Sequence, residues 1–232
     1  MIWLSFLNSI KQALLPEKTL YYPGCITKFA LSDIEDNYTE ILKLLNINFI
    51  KLKDIEYCCG SPILNAGYKE EFREIIEKNT ELLREHKITK IITNCPACYN
   101  AFNKHYNIKV EHITQTIINN IDKLILKDFE GKEIHYHDPC YLGRHSQIYD
   151  EPRNILKALN IEVQELSLNR EKSQCCGAGG NVKANLPKTS NRIVESLIKR
   201  EKITELITCC PMCFIQFKNT DIKVYELSQL II

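Results

Sequence analysis

The sequence is as informative in what it lacks as in what it holds. No stretch approaches the roughly 18 apolar residues that a membrane span requires, so no spanning helix is expected. Neither sign of charge dominates: 30 basic residues face 29 acidic ones, and a net charge of +1 argues against nucleic acid as the main partner. No secretion signal opens the chain, because Met1–Asn8 has no basic start, too short an apolar run and no small-residue cleavage site. Low-complexity linkers and long charge runs are missing as well. So is the Gly-x-Gly-x-x-Gly opening of a nicotinamide or flavin fold. The run Gly177-Ala178-Gly179-Gly180 lacks the Lys-Ser/Thr of a phosphate loop and follows two cysteines rather than a strand. A globular protein of one or two domains is left, with 44% hydrophobic residues.

Cysteine is what the chain has in excess. Ten of its 11 cysteines form two copies of one pattern: Cys25, Cys58-Cys59-Gly60 and Cys95-Pro96-Ala97-Cys98, then Cys140, Cys175-Cys176-Gly177 and Cys210-Pro211-Met212-Cys213. The segments between them hold 32 and 35 residues in the first copy and 34 and 33 in the second. A disulfide framework belongs to short secreted chains; this chain is too long and its cysteine count is odd. Isolated buried thiols would not recur as Cys-Cys-Gly and Cys-x-x-Cys in the same order. Metal or cluster ligation explains the recurrence, since thiolates are the ligands of soft metals and iron–sulfur centres. It also implies a reducing compartment, and the expected location is the cytoplasm.

The repeat reaches beyond cysteine. Ile88–Cys98 matches Ile203–Cys213, Phe102 matches Phe217, and Ile108-Lys109-Val110 matches Ile222-Lys223-Val224. Corresponding cysteines lie 115 to 117 positions apart, about the size of a small domain. The expected organisation is an N-terminal amphipathic helix over 1–18, a first cysteine-rich domain over 19–128 and a second over 129–232. Within each half, apolar periodicity predicts alternating strands and helices: strand 19–22, helix 34–45, strand 48–52, helix 69–86, strand 90–93 and a helix from Pro96. The second half predicts strand 133–136, helix 152–159, strand 162–166, helix 188–200, strand 205–208 and a helix from Pro211. The fold class is therefore α/β with parallel sheets. Cys25, Cys95, Cys140 and Cys210 each fall just past a strand, where open α/β sheets bind ligands.

At these residues the chain resembles the cysteine-rich CCG domain family. That family includes catalytic subunits of heterodisulfide reductases, namely the B type and the C-terminal part of the D type. It also includes iron–sulfur subunits of glycolate, lactate and glycerol-3-phosphate oxidoreductases. The resemblance spans about Leu20 to the C-terminus. His137–Arg144 and Cys175–Gly180 look most like the D type and its oxidase-linked relatives. It implies two Rossmann-like domains in tandem, related by pseudo-two-fold symmetry. It further implies two noncubane [4Fe-4S] clusters, one on Cys25, Cys58, Cys59, Cys95 and Cys98, the other on Cys140, Cys175, Cys176, Cys210 and Cys213. The chemistry implied is reduction of a disulfide between the clusters, or relay of electrons from a flavin-linked dehydrogenase of 2-hydroxy acids. D-type relatives carry a ferredoxin module ahead of this region. Here about 20 residues precede the repeat and none is cysteine, so a ferredoxin-like or flavoprotein partner is expected to exchange electrons with this chain. Zinc in one half is the alternative, though zinc takes four ligands at a closed site and five cysteines suit it poorly.

Two further residues are catalytic candidates. By its place in the motif, His137 lies near a cluster, where it would donate a proton to a departing thiolate or hydrogen-bond a cluster sulfur. Arg144 would pair with an anionic substrate or offset cluster charge. Cys209, at the position of Asn94, reads as a buried thiol. The stripe Trp3, Phe6, Leu7, Ile10 and Leu14 reads as core packing first and a partner-docking face second.

Overall fold

The structure, a computed structural model, describes residues 18–52 and 58–232. The amphipathic helix expected over 1–18, with its Trp3–Leu14 stripe, falls outside the described residues except for Lys18.

The first half runs β1 (Lys18–Tyr21), α1 (Cys25–Ala30), α2 (Ser32–Leu44), α3 (Ser61–Asn65), α4 (Lys69–Glu85), β2 (Ile88–Thr93), α5 (Pro96–His105), β3 (Lys109–His112) and α6 (Ile113–Ile118). The second runs β4 (Lys132–His137), α7 (Asp150–Ala158), β5 (Ile161–Glu165), α8 (Val182–Asn185), α9 (Pro187–Glu201), β6 (Glu205–Thr208), α10 (Pro211–Lys218), β7 (Lys223–Glu226) and α11 (Ser228–Ile231). Apolar spacing explains the long elements. Ile34, Tyr38, Ile41 and Leu42 form one fully buried stripe of α2, whereas the charge-rich α4 buries only Phe72, Asn79 and Leu83.

All strand pairings among the described residues are parallel. The second sheet has the order β5-β4-β6-β7 and the first β1-β2-β3. Beside β1, Ile50 makes one parallel bridge to Leu20, with Tyr21 N–H donating to Ile50 O and Ile50 N–H to Thr19 O, both at 2.9 Å. The strand expected over 48–52 is thus reduced to one pairing, yet it occupies the place of β5 and gives both sheets the same order. β3 and β7 are additions to the expected elements. Each is four residues long with charged residues in place of an apolar run, Lys109-Val110-Glu111-His112 and Lys223-Val224-Tyr225-Glu226, and each closes the far edge of its sheet.

Among the described residues, three apolar clusters hold the fold together. One belongs to the first half, around Leu20, Ile91 and Phe102; one belongs to the second, around Val194, Leu206 and Phe217. The largest joins the halves, packing Tyr21, Ile34 and Tyr38 against Ile134, Tyr136 and Ile155. The last helix of each half helps to form it by crossing over: α6 packs on α7, and α11 packs on α2. Ile113 and Ile117 are fully buried on α6, and burying side chains of this size contributes roughly 1.5–3 kcal/mol each. Polar groups cross the same interface. Tyr38 Oη donates to Glu226 at 2.6 Å, and Ser228 donates to the other carboxylate oxygen through its N–H (2.9 Å) and hydroxyl (2.6 Å). Burial nevertheless outweighs these donors and pushes Glu226 up to about 7.

Candidate functional site

Both cysteine sets are assembled by the same local devices. Past β1, Gly24 at φ +79° turns the chain so that Cys25 opens α1. A Cβ at Gly24 would stand 3.0 Å from Cys98 Sγ and 3.2 Å from Cys95 Cβ, so only glycine lets this loop lie against the Cys95–Cys98 element. Cys95 and Cys210 are the N-caps of α5 and α10, each followed by proline in the first turn, where a missing N–H costs nothing. Cys98 and Cys213 follow within that turn, at the helix end that favours negative charge. In the Cys-Cys-Gly loops the glycine N–H points back at sulfur: Gly60 to Cys58 Sγ at 3.5 Å, Gly177 to Cys175 Sγ at 3.4 Å.

The sulfurs of each set touch in the same sequence. In the first half the chain of thiol contacts runs Cys25, Cys58, Cys59, Cys98, Cys95. In the second it runs Cys140, Cys175, Cys176, Cys213, Cys210, with Cys213 and Cys176 sulfurs 3.2 Å apart. Hydrogen bonds from Cys25 and then Cys59 draw Cys58 down to about 3; those from Cys140 and then Cys176 draw Cys175 down to about 2. Their donors Cys25 and Cys140 are pushed up correspondingly, with burial adding to the rise. Five contiguous sulfurs of this kind suit a multi-iron centre with several points of attachment. Among the described residues no group of three or more His, Cys, Asp or Glu side chains is arranged around a single metal ion, and zinc gains no support.

One cavity of about 300 Å³ connects the sets. Eight of the ten repeated cysteines line it, all but Cys58 and Cys210. Ile26, Pro62 and Ala97 supply apolar wall from the first half; Ala178, Pro211 and Met212 supply it from the second. Asn65 Nδ2 donates to Tyr141 Oη at 2.7 Å, joining the two halves at the cavity, and the Tyr141 ring stacks on His145 at 4.7 Å. Lys183 also lies on the wall.

His137 and Arg144 do not line this cavity. His137 is fully buried, donates from Nε2 to Gln174 O at 3.1 Å and packs on Phe217. Burial lowers its pKa, so the ring is neutral near pH 7. Its Nδ1 has no hydrogen-bond partner among the described residues. Arg144 donates to the carbonyl of Ser173. Both residues therefore grip the segment leading into Cys175, which Ser173 Oγ ties further to Asp138 O at 2.9 Å. Asp138 in turn is clamped by Arg153 through two bonds of 2.8 Å. Cys209 sits in the central core with its thiol beside Tyr136, fully buried, and burial raises its pKa. Its counterpart Asn94 instead bonds Tyr21 Oη (3.1 Å) and Thr27 Oγ1 (2.9 Å). Sequence reasoning missed Asn65 and Lys183, which no motif marks, and passed over Tyr141 although it stands inside the His137–Arg144 motif; only the closing of the halves on each other brings the three to one cavity.

Comparison with known proteins agrees with this arrangement. A sequence model of the cysteine-rich domain, CCG, matches residues 19–103 and again 134–218. The chain is 31% identical over 211 residues to the D-type subunit of dihydromethanophenazine:CoB–CoM heterodisulfide reductase from Methanosarcina barkeri, covering 84% of the chain and 52% of that protein. It is 34% identical over 186 residues to EtfAB:quinone oxidoreductase of Syntrophomonas wolfei, covering 72% and 25%. To the B-type subunit of fumarate reductase (CoM/CoB) from Methanothermobacter marburgensis it is 26% identical over 227 residues, covering 91% and 45%. The chain spans about half the length of the heterodisulfide reductase relatives it matches. With each five-cysteine set falling whole inside one of the two matched segments, the chain belongs to the cysteine-rich CCG domain family and carries two copies of that domain.

Proposed function

We propose that this chain is the iron–sulfur subunit of an oxidoreductase complex and reduces a small disulfide held between its two halves. The observation that carries the proposal is a single cavity lined by both cysteine sets. Cys25, Cys58, Cys59, Cys95 and Cys98 would hold one [4Fe-4S] cluster, of the noncubane kind, and Cys140, Cys175, Cys176, Cys210 and Cys213 the other. When bound, the clusters supply electrons singly. Cleavage of one S–S bond consumes two electrons and two protons and releases two thiols, so two one-electron sites on one substrate match the stoichiometry. Three hundred cubic ångströms is at the lower end of the roughly 300–1,000 Å³ usual for small-molecule sites. The apolar wall accepts the weakly hydrated disulfide and keeps water off it. Asn65 and Tyr141 join the halves over the substrate. His137 and Arg144 act as positioning residues, holding the Ser173–Gln174 segment and through it Cys175. A buried neutral imidazole whose N–H is taken by a carbonyl has no proton to offer the cavity.

Electrons would come from a ferredoxin-like or flavoprotein subunit in a reducing compartment such as the cytoplasm. The eleven cysteines, all unbridged, suit such a compartment, and no described helix is long and apolar enough to cross a membrane. The likeness to EtfAB:quinone oxidoreductase favours a second reading, in which the same sites relay electrons for a flavin-linked dehydrogenase. Anaerobically reconstituted chain, reduced with methyl viologen and given bis(2-hydroxyethyl) disulfide, separates the two. The disulfide-reductase reading expects two thiols per two electrons consumed. Electron uptake without thiol formation leaves the relay.

A further inference from the structure

We infer that Lys183 is a catalytic cation for the proposed disulfide cleavage, its ammonium stabilising the negative charge that builds on sulfur as the S–S bond breaks. The inference rests on that reading of the cavity and deepens it.

Apart from the cysteines, Lys183 is the one charged side chain among the described residues that line the cavity. Neighbouring polar groups hold it in place. Its Nζ donates to Gln216 Oε1 at 2.6 Å and lies 3.5 Å from Asn191 Oδ1. Gln216 is 1% exposed, and its Nε2 donates to both the carbonyl and the hydroxyl of Ser190 at 3.0 Å, which fixes which end of the amide faces lysine. The support is neutral throughout. A carboxylate in place of Gln216 would anchor the ammonium equally well but cancel its field, whereas an amide orients the charge and leaves it whole. Among the described residues no carboxylate forms an ion pair with Lys183. Two acceptors also leave one of its three N–H donors for a ligand.

The arrangement breaks the symmetry of the molecule. Gln216 on α10 stands where α5 carries Ala101, and α3, which follows Gly60 as α8 follows the Gly177 loop, contains no charged residue. A cation needed only to balance the charge of a cysteine-bound centre would be wanted equally in both halves. A cation on one wall of a shared cavity serves what lies in the cavity.

Two electrons from a low-potential one-electron donor enter the S–S bond, the bond breaks, two thiolates form, and two protons from water convert them to thiols. Negative charge develops on sulfur before either proton arrives. In an apolar-walled cavity an oriented N⁺–H beside that sulfur lowers the barrier, as preorganised donors do at developing oxyanions.

The test compares wild type with Lys183→Gln, Lys183→Met and Lys183→Arg, all reconstituted and matched for iron content and visible spectrum. Reduced methyl viologen is the donor; bis(2-hydroxyethyl) disulfide is the neutral probe and 3,3′-dithiodipropionate the dianionic one. Lys183→Gln and Lys183→Met are expected to lose at least tenfold in kcat on the neutral probe with KM little changed, and Lys183→Arg to keep most of the rate. The pH midpoint for binding 2-mercaptoethanol as its thiolate, followed by the visible bands, is expected to rise by about one unit in Lys183→Gln, again tenfold. Unchanged kcat on the neutral probe, with a loss confined to KM for the dicarboxylate, overturns the inference and makes Lys183 a substrate anchor. Wild-type protein that reduces neither probe removes the parent reading, and this inference with it.

Discussion

Replacing Gly177 by alanine tests how tightly the second Cys-Cys-Gly loop is built. Gly177 has φ +84°, and an L side chain there costs roughly 1–2 kcal/mol. The new Cβ would also stand 3.0 Å from Ile193 Cβ and Cγ2 and 3.1 Å from the carbonyl oxygen of Ser190. Ile193 can shift slightly, but the carbonyl belongs to α9 and cannot yield without moving the helix. A further ~1 kcal/mol is reasonable for this overpacking. The total is about 2–3 kcal/mol. At about 2–4 °C per kcal/mol for a chain of this size, Tm should fall by roughly 4–12 °C. The same carbonyl accepts from Gln216, so the displacement reaches the support of Lys183. Gly179→Ala is the internal control: nothing lies within 4 Å of its added Cβ, and its φ is ordinary. Its effect should stay within about 0.5 kcal/mol. Reconstituted proteins melted at one scan rate, with iron measured beforehand, provide the assay. A Gly177→Ala protein that melts with the wild type and holds full iron would show that the loop is slack and refute the reasoning.

Two other outcomes are expected. Because each five-cysteine chain of sulfur contacts closes within its own half, Cys59→Ala and Cys176→Ala should each abolish chiefly the iron centre of that half. Resonance spectra showing both centres lost equally in either variant would contradict separate assembly. Glu226 should make the joint between the halves pH-sensitive. Its folded value of about 7 exceeds the ordinary carboxylate value of about 4.3, so the fold favours the protonated form. The stability from this group is full below pH ~4.3 and is lost as pH rises through about 7, by on the order of 3 kcal/mol. Glu226→Gln should flatten the fall of the urea midpoint between pH 5 and 8, and a variant midpoint running parallel to wild type would rule out this source.

Long elements with clear periodicity are legible in the sequence. The stripe Ile34-Tyr38-Ile41-Leu42 predicts α2 within two residues, and the strands leading to Cys95 and Cys210 stand out as apolar runs. The last strand of each sheet is not, because Lys109–His112 and Lys223–Glu226 owe their strand form to a sheet edge supplied by β2 and β6 rather than to their own pattern. The cysteines announce themselves by recurrence. Residues that act by position do not. His137 stands in a motif beside Cys140, yet Nε2 reaches Gln174, 37 residues on. Lys183 reads as one surface lysine among many until α8 is laid along the cavity and Gln216, 33 residues away, comes up beneath it. The crossing of α6 and α11 is equally hidden, since their apolar faces fit either half until the two sheets are set side by side.

Iron and inorganic sulfide counted together in anaerobically reconstituted protein give the most direct test of two five-cysteine cluster sites meeting at one cavity. Two [4Fe-4S] centres predict about eight iron and eight sulfide per chain, with a brown visible spectrum. About four of each would show that one set is not a cluster site, and a colourless protein holding zinc or no metal would contradict the iron–sulfur reading altogether.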